Sequence, residues 1–188
     1  MNKTFTDISG HWAESNIKPL ANKLVVDGVS DSLFQPERGI TRAEFAALVV
    51  RSLGLDTSST STSFKDVSSS DWFASVVAAA VKAKIIDGYE DNTFKPNAQI
   101  NREELVAMVV RALNYAGAAP VASGSQTSLA KFTDANKIVW AKNEIATAID
   151  AGIIDGMTDT TIAPRDTATR AQSATMLKRL LTKANFIN

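Results

Sequence analysis

Arg42, Arg102 and Arg170 each stand one place after a hydroxyl or amide residue and two places before Glu or Gln. The segments are Ile40-Thr41-Arg42-Ala43-Glu44, Ile100-Asn101-Arg102-Glu103-Glu104 and Ala168-Thr169-Arg170-Ala171-Gln172. A guanidinium offers a planar fork of donors that grips a carboxylate at two points, which the point charge of Lys cannot match. The flanking residues have a different task. Thr41 with Glu44, Asn101 with Glu104 and Thr169 with Gln172 have the spacing of a capping box that opens a helix. Each Arg then falls on the first helical position, where the helix dipole disfavours a cation by up to about 1 kcal/mol. Its recurrence there predicts an anion beside it, seated against the free backbone N–H groups of the helix start. The Arg side chains are expected to point outward and add little stability, while the caps contribute about 1 kcal/mol each. Counting formal charge within the box alone, Arg102 with Glu103 and Glu104 makes the second box the least welcoming to an anion.

The elements that position these residues come in three copies. Each copy opens with Phe-x-Asp (Phe5-Thr6-Asp7, Phe64-Lys65-Asp66, Phe132-Thr133-Asp134), followed by Trp12, Trp72 or Trp140. Apolar residues at helical spacing come next: Ile17, Leu20, Ala21, Leu24 and Val25, then Val77, Ala80, Val81 and Ile85, then Ile145, Ala148, Ile149 and Ile153. They predict three amphipathic first helices. Each is expected to stop at Asp27-Gly28, Asp87-Gly88 or Asp155-Gly156, with Gly in the left-handed conformation. A loop with one apolar anchor before Pro follows (Phe34-Gln35-Pro36, Phe94-Lys95-Pro96, Ile162-Ala163-Pro164). The capping box then opens a second helix, apolar nearly all round in the first two copies and therefore buried. Three such helices are expected to form a central bundle, with the Trp-led helices outside. The units run 1–55, 64–115 and 132–188, joined by a Ser/Thr linker at 56–63 and an Ala/Gly/Ser/Pro linker at 116–131.

Composition restricts the function. Lys plus Arg and Asp plus Glu are 20 each, so no long-range field collects nucleic acid or an anionic membrane. Cysteine is absent and His11 is the single histidine, which removes thiolate and His-rich metal sites. His11 reads as a surface residue at the start of the first helix. Asp31, Asp91 and Asp159 read as turn formers, with calcium the lesser alternative. No apolar run reaches the roughly 18 residues of a membrane span, and Met1-Asn2-Lys3-Thr4 is polar where a signal core would be apolar. No cofactor is expected, and the module is expected to be monomeric.

The ordered set of Phe-x-Asp, Trp, Asp-Gly, Phe-x-Pro and T-R-A-E, three times over from Phe5 to Leu181, resembles the S-layer homology domain triplet of bacterial surface proteins. The resemblance implies an all-α fold with three repeats in a pseudo-threefold arrangement around a central three-helix bundle. It implies a non-catalytic, extracellular anchor that binds an anionic secondary cell-wall polysaccharide of a Gram-positive-type wall, commonly through pyruvylated N-acetylmannosamine. The sites would lie in grooves between repeats, with Arg42, Arg102 and Arg170 on the ketal-pyruvate carboxylate. Trp12, Trp72 and Trp140 are open between core and sugar platform. Gly28, Gly88 and Gly156, with Asp27, Asp87, Asp155 and Tyr89, complete the candidate ligand set. Asn101, Glu103 and Gln172 depart from the family pattern and predict unequal sites. A wall-glycan-acting enzyme is the rival, recruiting Glu44, Glu104, Asp27 or Asp87 as paired carboxylates; a purely structural self-assembly module is another.

Overall fold

The computed structural model describes residues 3–118 and 126–187, so positions 119–125 of the expected second linker lie outside the described residues. Among the described residues the chain is all-α: α1 (Glu14–Asn22), α2 (Arg42–Ser52), α3 (Ala74–Lys82), α4 (Arg102–Tyr115), α5 (Lys142–Asp150) and α6 (Arg170–Lys183). Among these residues only isolated antiparallel bridges occur in place of strands. Just after the expected second linker's undescribed positions, Thr127–Leu129 forms a 3-10 turn that buries Leu129 against α5.

The first helices end earlier than the Asp-Gly pairs. Each closes with the carbonyl–amide pattern in which a left-handed residue follows the cap: Leu24 (φ 60°), Lys84 (φ 57°) and Gly152 (φ 69°). Val25, Ile85 and Ile153 donate their N–H groups back to Leu20, Ala80 and Ala148. The expectation that Asp-Gly ends the helix is therefore corrected, because the stop signal was a non-Gly residue in two of three copies. The glycines serve close approach instead. A Cβ on Gly88 would lie 2.1 Å from the Phe64 ring and 2.8 Å from the Thr93 carbonyl, so the Phe-x-Asp ring packs directly on the loop backbone.

Packing runs between repeats in a closed order. α2 packs on α3, α4 on α5 and α6 on α1, while α2, α4 and α6 touch one another. At the centre, Ile40 N–H donates to Ala168 O, Ala168 N–H to Ile100 O and Ile100 N–H to Ile40 O, at 3.1, 2.9 and 2.9 Å. This ring makes each repeat's loop a hydrogen-bonding partner of the other two. Phe45 of α2, Leu105 of α4 and Leu177 of α6 are fully buried, and burying such a side chain is worth about 1.5–3 kcal/mol. Pro19 inside α1 leaves the Ser15 carbonyl without its helical donor, and Lys178 of α6 supplies one at 3.2 Å.

Candidate functional site

The three capping boxes close as reciprocal pairs. Thr41 Oγ1, Asn101 Oδ1 and Thr169 Oγ1 accept from the N–H of Glu44, Glu104 and Gln172, whose side chains accept in return from the backbone of the cap residue. The remaining amides of each first turn are also taken. Arg42 and Ala43 N–H donate to Ala98 and Pro96 carbonyls, Arg102 and Glu103 to Asp166 and Pro164, and Arg170 and Ala171 to Arg38 and Pro36. An anion seat on free helix N–H groups is thus closed, contrary to the sequence expectation. The neighbouring repeat's loop occupies it.

The arginines do not point outward either. Arg42 and Arg102 are buried, and Arg170 is half-buried. Their Nε atoms donate to the carbonyls of Phe94 (2.8 Å), Ile162 (2.9 Å) and Phe34 (2.8 Å), each on the apolar anchor of the next repeat in the cycle. Arg42 and Arg170 reach the Asp87 and Asp27 carbonyls as well. A cation at the dipole's positive end is tolerated because it spans that end and rests on the neighbour's carbonyl oxygens. Burial lowers the Arg102 and Arg170 pKa values from the ordinary guanidinium range; at Arg102 the charges of Asp166 and Asp134 oppose the shift.

The Phe-x-Asp carboxylates hold the same anchors from the other side. Asp7 accepts from Phe34 and Gln35 N–H, Asp66 from Phe94 and Lys95, and Asp134 from Ile162 and Ala163, all within 2.7–2.9 Å. Gln35, Lys95 and Ala163 sit at φ 56°, 56° and 52°, a left-handed conformation costly for side-chain-bearing residues. The carboxylate therefore fixes a strained turn whose outer carbonyl the preceding repeat's Arg then grips.

Two clefts result, each drawing on all three repeats. One, of about 780 Å³, brings Arg42 together with Asp87, Gly88, Tyr89, Glu104, Arg111, Trp140 and Arg165. The other, of about 370 Å³, joins Arg102 to Asp155, Gly156, Met157, Gln172, Arg179 and Trp12. In the first, Arg42 pairs with Glu104 at 3.0 Å and lies 4.8 Å from the Tyr89 and Phe94 ring centres. Tyr89 donates to the same Glu104, and burial together with that hydrogen bond pushes its hydroxyl up to about 12. Arg170 meets Asp27, Gly28's neighbour, in the first repeat, stacked on Phe34 at 4.5 Å.

The Trp alternatives resolve in favour of exposure: Trp12, Trp72 and Trp140 are 58%, 62% and 49% accessible, so none is core. His11 is more engaged than a plain surface residue, accepting from Ala13 N–H through Nδ1 and bonding Glu37 through Nε2. Sequence reasoning missed a second arginine set. Arg51, Arg111 and Arg179 pair with Asp27, Asp87 and Asp155 at 3.0, 2.8 and 3.1 Å. Their regular place, ten residues after each cap, was the available signal. The Lys3 side chain adds to the Asp27 pair, and its hydrogen bond is the largest cause holding that carboxyl below its usual range.

The S-layer homology domain model matches residues 4–46, 63–106 and 131–174. The chain belongs to the S-layer homology domain family. It is 38% identical to the amylopullulanase of Thermoanaerobacterium thermosulfurigenes over 98% of this chain and 10% of that protein. It is 32% identical to the cellulosome-anchoring protein of Acetivibrio thermocellus over 82% of this chain and 34% of that protein. To the S-layer protein of Bacillus thuringiensis subsp. finitimus it is 30% identical over 94% of this chain and 21% of that protein. The chain thus spans a tenth to a third of these relatives. In this chain each box arginine clamps the next repeat, and the clefts that Arg42 and Arg102 enter are lined by the Trp of one repeat and the Asp-Gly loop of another.

Proposed function

We propose that this chain is a non-catalytic anchoring module that holds a protein to the cell wall outside the cell by binding a secondary cell-wall polymer. The observation that carries the reading is convergence: a guanidinium, an exposed indole and an Asp-Gly loop from three different repeats meet in one cleft. An indole face suits a sugar ring, and a guanidinium edge suits a planar carboxylate. A polymer ending in pyruvylated N-acetylmannosamine presents both. The relatives share an S-layer homology segment while bearing names as different as amylopullulanase and S-layer protein, which favours attachment over catalysis as the common task. The carboxylates an enzyme would need are committed: Glu44 and Glu104 close caps, and Asp27 and Asp87 are paired with arginines. Mixing the chain with walls that keep or lack the polymer tests this. Sedimentation with the first alone, without released sugar fragments, is expected; fragment release, or equal sedimentation with both, overturns it.

A further inference from the structure

Behind the Val139–Trp140 wall of the large cleft lies a buried residue with no counterpart at the equivalent helix positions of the other boxes. Glu103 is fully buried at the second position of α4, where α2 and α6 carry Ala43 and Ala171. Its Oε1 accepts from three consecutive amides, Val139 (3.0 Å), Trp140 (2.7 Å) and Ala141 (2.9 Å), at the start of α5. Its Oε2 is buried without a hydrogen bond, with the Arg165 guanidinium 3.6 Å away. Trp140 and Arg165 both line the Arg42 cleft.

The other Trp segments hold themselves. In the first repeat His11 Nδ1 accepts from Ala13 N–H, and in the second Asp71 accepts from Ser68 N–H. The third repeat has Val139 at that place, with no side-chain acceptor, and Lys142 where the first has the self-capping Glu14. Amides left without an acceptor at a helix start are destabilising, so an acceptor must come from elsewhere. Glu103 reaches across from the second repeat to provide it.

We propose that Glu103 is a positioning residue for the glycan cleft: it fixes the Trp140 segment and steadies Arg165, so that one α4 side chain sets two walls of the site. The proposal rests on the reading of that cleft as the polymer site. It also gives the apparent departure of the second box a purpose, since the extra carboxylate is spent on backbone amides and does not face a ligand.

The test uses the chain with Trp12→Phe and Trp72→Phe, which leaves Trp140 as its single indole, and measures Trp140 anisotropy without ligand at about pH 8, where an ordinary imidazole is neutral. Glu103→Ala should lower the anisotropy, Glu103→Gln should keep it by retaining an acceptor oxygen, and Glu103→Ala with Val139→His should restore it by copying the first repeat. Unchanged anisotropy in Glu103→Ala overturns the proposal. If that variant does not fold, recovery of the fold in the double variant supports the exchange of caps, and no recovery overturns it. In the otherwise wild-type chain, affinity for the pyruvylated sugar should fall about tenfold in Glu103→Ala, a loss of about 1.4 kcal/mol, and return in the double variant. Reduced anisotropy with unchanged affinity would keep Glu103 as the brace of Trp140 and remove this cleft as the polymer site.

Discussion

The clefts that receive Arg42 and Arg102 are assembled from the same parts in the same cyclic order, yet they answer the guanidinium differently. Arg42 meets the Glu104 carboxylate and the Tyr89 ring; at the matching places Arg102 has Gln172 and Met157. The first cleft is roomier, about 780 against 370 Å³, but its cation is already neutralised from within. In the second, the nearest compensation comes from Asp166 and Asp134, on the loop side. A ligand carboxylate should therefore find more unanswered positive charge beside Arg102, and a longer glycan more contact area beside Arg42. Formal charge counted within single boxes favours the opposite order, but Arg42 shares its cleft with Glu104 of the next repeat's box and not with its own Glu44.

The largest expected effect distinguishes the two arginines by what each leaves behind. Arg42→Ala strands a buried carboxylate and a carbonyl, and breaking a buried pair in this way costs about 3–5 kcal/mol. Arg102→Ala strands the Ile162 carbonyl and should cost about 1–3 kcal/mol. Urea unfolding of the two variants measures the gap. Equal losses, or the negligible loss that an outward-pointing Arg would give, would break the comparison.

Next in size is an exchange of character. Gln172→Glu places in the Arg102 cleft the carboxylate that Arg42 already has, while keeping the capping geometry. It should leave the melting temperature close to wild type and weaken carboxylate binding at that cleft by about 1 kcal/mol, a typical value for one hydrogen bond's net contribution. Glu104→Gln should act the opposite way at the Arg42 cleft. Titration of both variants with the pyruvylated sugar checks the pair, and opposite signs are the required result.

The smallest effect is a pH signature confined to one cleft. The Tyr89 hydroxyl is raised from 10.0 to about 12, so folding favours its protonated form. That contribution is fully present below pH 10 and is lost as pH rises through about 12. Tyr89 should therefore add a late step to an absorbance titration. Tyr89→Phe should remove the late step and flatten the alkaline fall in melting temperature. At the acid end Asp7 behaves in the reverse sense. Burial works to raise its pKa, but the Phe34 and Gln35 amides and Arg170 outweigh it and lower it below 3.8. Its support of the first loop is therefore present above that value and fades as pH falls past it, which Asp7→Asn should make pH-independent.

Local rules carried the sequence reading a long way. The capping boxes, the helical spacing of Ile17, Leu20 and Ala21, and the buried anchors Phe34 and Phe94 follow from residues within a turn or two of one another, and the all-α class follows from them. What stayed hidden depends on the neighbour. Nothing near Arg42 in the chain indicates that its guanidinium crosses to Phe94, 52 positions away, or that its helix amides are already spent on Ala98 and Pro96. The glycines misled because Asp-Gly commonly ends helices, while here Leu24 and Lys84 accept the left-handed strain and Gly88 makes room for a ring. Glu103 looked like a surplus charge because its partners, the amides around Trp140, belong to another repeat.

Under the proposed function, these clefts recognise one planar carboxylate on a sugar and not polyanions in general. Isothermal titration of the chain with pyruvylated N-acetylmannosamine and with its pyruvate-free counterpart, at low and high salt, tests it most directly. Saturable binding of the first sugar alone is expected, weakened only moderately by salt because one buried contact is screened less than a many-phosphate interface. Equal affinity for the two sugars would contradict it.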